Sequence, residues 1–137
     1  MKKITKSLIA IFLIAVMSMS SITVFASSDV PSPRLSHMSD GSFTFSATAD
    51  GGYVDVTYYG YDSFVRADLT VKIEKRFLLV FWNEVSSWSA SSTQIDGLFY
   101  TTLPLDGSGT YRATFTLLIT GNDGTVDAIT DVIKDSY

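Results

Sequence analysis

Apolar and polar residues alternate with period two through much of the chain beyond residue 40. Phe43, Phe45 and Ala47 alternate with Thr44, Ser46 and Thr48, while Val65, Ala67, Leu69, Val71 and Ile73 alternate with Arg66, Asp68, Thr70, Lys72 and Glu74. Tyr111, Ala113, Phe115 and Leu117 repeat the pattern against Arg112, Thr114 and Thr116. Successive side chains of a strand point to opposite sides, so each run predicts a strand with one buried face. Weaker runs predict strands over Tyr53–Tyr59, Leu98–Leu105 and Val126–Ile133. No window beyond residue 26 sustains an apolar i, i+3, i+4, i+7 stripe, and no long helix is expected.

Turn chemistry punctuates these runs at Ser39-Asp40-Gly41, Asp50-Gly51-Gly52, Tyr61-Asp62-Ser63, Asp96-Gly97, Asp106-Gly107-Ser108-Gly109 and Gly121-Asn122-Asp123-Gly124. Asp and Asn cap turns with their side chains and tolerate left-handed backbone, which glycine adopts freely. The fold class is therefore all-β: a single antiparallel two-sheet sandwich of about seven strands over residues 40–137. Residues 27–39, with Pro31 and Pro33, read as a leader or an edge strand.

One segment breaks the alternation. Phe77-Leu78-Leu79-Val80-Phe81-Trp82 is continuously apolar, as in a strand buried on both sides or a hairpin with a greasy exposed tip. A core strand, or one buried in a dimer, is the expectation, because large exposed apolar patches are uncommon on monomers. Lys75, Arg76 and Glu84 stand around it as charged gatekeepers against edge pairing.

The first 26 residues are of another kind. A basic start, Met1-Lys2-Lys3-Ile4-Thr5-Lys6, leads into an apolar stretch from Leu8 to Met17 and then Val24-Phe25-Ala26. This is a secretory signal peptide with cleavage expected after Ala26. A retained anchor fits less well, since Ser18, Ser20, Ser21 and Thr23 make the second half polar. Cleavage leaves 111 residues, enough for one domain. The product is expected to be secreted and extracellular, yet without cysteine it cannot use disulfides and must be stabilised by packing. Its seven basic and fourteen acidic side chains give a formal −7, which argues against nucleic acid and anionic membrane as partners.

The runs Leu69-Thr70-Val71-Lys72-Ile73-Glu74-Lys75-Arg76, Trp82-Asn83-Glu84-Val85-Ser86-Ser87-Trp88 and Gly109-Thr110-Tyr111-Arg112-Ala113 resemble small secreted proteins of Gram-positive bacteria grouped as a domain family of unknown function. The resemblance covers roughly residues 40–133 and implies an immunoglobulin-like sandwich with no known activity. Gly107-Ser108-Gly109-Thr110-Tyr111 also resembles the tyrosine corner that opens the sixth strand of such sandwiches. Ala113 stands where an antibody domain carries its second cysteine.

Few residues offer chemistry. The single histidine, His37, lies in the loosely patterned leader and reads as a solvated loop residue rather than part of a Ser-His-Asp set. Glu74 and Glu84 are positioned to face each other across one hairpin, the requirement for a carboxylate-dependent hydrolase. Cross-strand pairing with Lys72, Lys75 or Arg76 is the simpler use of both. Asn122-Asp123-Gly124 echoes a calcium loop, but Ile119, Gly121 and Thr130 fall where oxygen ligands are required, so a hairpin turn is expected and no metal or cofactor is implied.

Aromatic residues supply the one positive sign of binding. Tyr58 shares parity with Val54 and Val56 and belongs to the core, whereas Tyr59 and Tyr61 fall on the opposite side, beside Asp55 and Asp62. Tyr59, Tyr61, Asp62 and Trp82 are the candidate ligand-binding residues, and no catalytic residue is assigned. The expected role is a secreted, non-enzymatic module that binds a protein or glycan. A small hydrolase and a self-assembling structural protein are the alternatives.

Overall fold

A computed structural model describes residues 35–137; the expected signal segment, its cleavage point and most of the leader lie outside the described residues. Seven strands follow in order: β1 (Met38–Thr48), β2 (Gly51–Gly60), β3 (Phe64–Phe77), β4 (Phe81–Ser92), β5 (Asp96–Leu103), β6 (Thr110–Gly121) and β7 (Val126–Ser136). They form two antiparallel sheets, one ordered β1-β2-β5 and the other β4-β3-β6-β7. Three hairpins stay within a sheet, while the β2–β3, β4–β5 and β5–β6 connections cross between sheets. This order is compatible with an immunoglobulin-like sandwich.

The inward positions are those set by the alternation. Val54, Val56 and Tyr58 from one sheet meet Ala67, Leu69, Val71 and Ile73 of β3 and Tyr111, Ala113, Phe115, Leu117 and Ile119 of β6, all withdrawn from water. Removing contact between apolar surface and water is what drives the two sheets together, and truncating a buried aromatic such as Phe115 costs about 3–5 kcal/mol. Tyr58 is accommodated because its cross-strand partner is Gly97, where a Cβ would lie 2.4 Å from the tyrosine oxygen. Its hydroxyl donates to the Gln94 carbonyl at 2.8 Å. The tyrosine corner forms as the sequence suggests, with the hydroxyl of fully buried Tyr111 donating to the Gly107 carbonyl.

Two irregularities redirect side chains. Between Phe64 and Arg66 the β3–β6 register shifts, and Val65, expected inside, is exposed. Between Ile73 and Glu74 the β3–β4 register shifts as well, because Ile73 pairs with Ser86 but Glu74 with Glu84, leaving Val85 as the extra residue. One inserted residue reverses parity. Trp88 therefore faces the core, edge-on to Phe99, while Trp82, six residues earlier, lies on the outer side.

The Phe77–Trp82 run corrects the expectation of a core strand. It is the tip of the β3–β4 hairpin, and Phe77, Leu78, Leu79, Val80 and Phe81 are 53–83 % exposed. Phe77 pairs with Phe81 across a three-residue loop, closed by the Val80 N–H donating to the Leu78 carbonyl at 2.8 Å. Leu78 and Leu79 both take positive φ, 47° and 69°, a region that side chains bearing a Cβ enter at a cost of about 1–2 kcal/mol each.

Candidate functional site

His37 is not a solvated loop residue. Only 3 % of it is exposed, and its ring lies against Gly121, where an added Cβ would fall 2.1 Å from an imidazole carbon. Nδ1 is 2.8 Å from Ser63 Oγ and Nε2 is 2.6 Å from Thr125 Oγ1, which in turn donates to Asp123 Oδ1 at 2.7 Å. Asp127 accepts the backbone N–H groups of Ser36 and His37 at 2.8 and 2.7 Å. Ser63, His37 and Asp123 thus assemble in space, with Asp123 Oδ1 3.4 Å from His37 Nε2 and the Thr125 hydroxyl hydrogen-bonded to both. The arrangement fastens the segment before β1 to the β6–β7 turn, and every polar atom of the imidazole is used in doing so. One oxygen of the Asp123 carboxylate and one of the Asp127 carboxylate accept hydrogen bonds in this arrangement.

Glu74 and Glu84 are direct cross-strand partners, as expected. Glu74 is buried on the outer side of the four-stranded sheet, with Arg112 Nε at 2.6 Å and Lys72 Nζ at 3.4 Å. The Arg112 hydrogen bond, opposed by burial and aided by the charges of Arg112 and Lys72, holds its carboxyl below the ordinary glutamate range. A general acid needs the opposite shift, so this residue is placed as a charge anchor. A cleft on the inward side of the hairpin, which Glu74 does not line, is bordered by Lys75, Arg76, Phe77, Asn83, Val85 and Asp106 and is about 150 Å³, below the roughly 300–1,000 Å³ that encloses small ligands.

The four sequence-nominated residues separate into two groups. Tyr59, Tyr61 and Asp62 are exposed at the end where β2 gives way to β3. Trp82 is half-buried near the hairpin tip, opposite Arg76, at the other end of β3. Gly60 lies against Phe64, so about twelve strand residues, or about 40 Å, separate the two along the long axis. Trp82 is not part of a tyrosine site.

The structure adds two residues to the tyrosine group instead. On the outer face of the three-stranded sheet, Tyr59, Leu98 and Tyr100 are 50 %, 60 % and 59 % exposed. Tyr59 is the cross-strand partner of Asp96, Leu98 of Thr57 and Tyr100 of Asp55. Each ring therefore stands beside a carboxylate across the β2–β5 ladder, where directly opposed Cβ atoms are about 5 Å apart. Asp40 pairs with Tyr59 from β1 and extends the acidic border. Leu98 and Tyr100 escape sequence reading because β5 is apolar on both faces, with Phe99 and Leu103 turned inward.

No known protein family, curated protein or solved structure matches the chain.

Proposed function

We propose that this chain is an exported, non-enzymatic β-sandwich that binds an extracellular glycan through the outer face of β2 and β5. The single observation behind this reading is the alternation of Tyr59 and Tyr100 with Asp96 and Asp55 around Leu98 on an exposed sheet. Tyrosine faces offer flat apolar surface for the C–H side of a sugar ring, and adjacent carboxylates accept its hydroxyl hydrogens. An open sheet face suits an extended polymer better than an enclosed small molecule. The signal segment and the resemblance to small secreted Gram-positive proteins support an extracellular setting, and the charge-anchored Glu74 weighs against hydrolysis.

The test is a glycan and surface-protein array followed by calorimetry with any carbohydrate retained. Tyr59→Ala and Tyr100→Ala are each expected to weaken binding about fivefold, the equivalent of about 1 kcal/mol per ring, with unchanged melting. Unaltered binding by the double variant, or capture of proteins alone, refutes the glycan reading.

A further inference from the structure

We infer that the β3–β4 hairpin is a membrane-docking element whose tip inserts into the interface of an anionic lipid bilayer. This rests on observations separate from the glycan face, at the opposite end of the sandwich.

The hairpin continues past Ile73, the last β3 residue in the core, for five residues to Leu78, about 17 Å at the usual strand rise. Its far end is apolar throughout, with Phe77, Leu78, Leu79, Val80 and Phe81 all exposed. Strain adds a second sign. A turn needing positive φ at successive positions is ordinarily made from Asn and Gly, yet here leucines occupy both. Backbone strain retained to display large apolar side chains points to a surface that meets something apolar.

Charge identifies that something. The described residues carry six bases and thirteen acids, but five of the six bases, Lys72, Lys75, Arg76, Arg112 and Lys134, lie at the hairpin end. Five acids share that level, Asp50, Glu74, Glu84, Asp106 and Asp135, and the other eight face a single base, Arg66, elsewhere. Asp135 already accepts the Ala47 N–H at 2.8 Å, and Glu74 is enclosed by Arg112 and Lys72. Bases and acids therefore balance at the hairpin end, the acidic excess of the described residues lies elsewhere, and the cations Arg76, Arg112 and Lys134 gather at Trp82 beside the apolar tip.

The layers follow the order of a bilayer surface. From Leu79 back to Trp82 is about 10 Å, the depth to which interfacial segments bury their apolar side. Trp82 comes next, where indoles favour the headgroup level, with the Arg112 guanidinium 4.5 Å and the Lys134 ammonium 5.7 Å from its ring centroid. Arg76 is its cross-strand partner. Cations at that height meet lipid phosphates.

Trp82 itself reports the event. In the full-length protein carrying Trp88→Phe, its emission is expected to shift to the blue on vesicles of equal parts phosphatidylglycerol and phosphatidylcholine, and to be quenched by bromine on the acyl chains. Pure phosphatidylcholine should give little change, and high salt should weaken the response. Leu78→Asp with Leu79→Asp should abolish it, and Lys75→Gln and Arg76→Gln should each lower affinity about fivefold. Since residues 1–26 contain no tryptophan, their own affinity for lipid does not imitate this signal. The inference is overturned if Trp82 stays unshifted on anionic vesicles, or if the shift survives both aspartates. A Leu79-dependent dimer by sedimentation that persists on these vesicles would assign the tip to self-association instead. Tyr59→Ala with Tyr100→Ala should leave vesicle binding intact, so failure of either reading is seen separately.

Discussion

Replacing the strained tip with ordinary turn residues should make this protein more stable while disarming it. In the variant Leu78→Asn with Leu79→Gly, both positive-φ positions receive residues that occupy the left-handed region readily. Relief of about 1.5 kcal/mol at each leucine is the favourable side. Against it stands the greater freedom of glycine in the unfolded chain, about 0.7 kcal/mol. The lost side-chain contacts are small, because Leu78 and Leu79 are already 68 % and 83 % exposed. With about 2 kcal/mol for a fully buried leucine, the fractions withheld from water are together worth about 1 kcal/mol. The net is a gain of about 1 kcal/mol, or about 4–8 °C in Tm for a domain of this size.

Urea unfolding followed by Trp88 fluorescence, with calorimetry for Tm, measures the gain, and vesicle binding measured in parallel should disappear. A variant that melts at or below the parent would refute the reasoning, since the leucines would then be held by favourable contacts rather than kept despite strain. Stability rising as binding falls is the pattern of a functional site maintained against local preference.

Two further perturbations test the frame that carries the hairpin. Tyr111→Phe keeps the ring but leaves the Gly107 carbonyl without its donor, and should cost about 1–1.5 kcal/mol in urea denaturation. Acid should weaken the fold through Glu74. Its folded carboxyl titrates below its unfolded one, so the stabilisation is complete above the unfolded value of about 4.3 and fades as pH falls through the folded value. Glu74→Gln should flatten the loss of stability below about pH 4.3 in a pH series of unfolding midpoints, and an unchanged slope would assign the acid sensitivity to other carboxylates.

Strands with one wet face were legible because alternation and burial are the same physical fact. Tyr58 inside and Tyr59 outside, or the full inward row of β6, follow from parity alone. Parity fails where the backbone inserts a residue. The extra Val85 leaves no mark in a sequence of small and polar residues, yet it decides that Trp82 and Trp88 serve opposite faces. The burial of His37 is hidden from the sequence for another reason. Its partners Thr125 and Asp127 are some ninety residues away, and nothing local announces that a leader histidine will be enclosed by the β6–β7 turn.

The hairpin tip runs against its own local sequence. A run of six apolar residues without Gly, Pro, Asn or Asp contains no turn signal, so local chemistry points to a continuous buried strand. The chain nevertheless reverses at Leu78 and Leu79, because Arg76 with Trp82 and Lys75 with Asn83 fix the register on either side of the turn. Long-range pairing overrides local preference there, and leucine conformation bears the cost. Net charge misleads in a parallel way. A formal excess of acids describes the molecule seen from far away, whereas a surface approached within a Debye length of about 8–10 Å responds to the charges nearest it. At that range the cations Arg76, Arg112 and Lys134 around Trp82 act separately from the acidic excess at the other end of the domain. A domain built this way would meet an anionic surface in one orientation, tip first, leaving the tyrosine face at the other end turned outward.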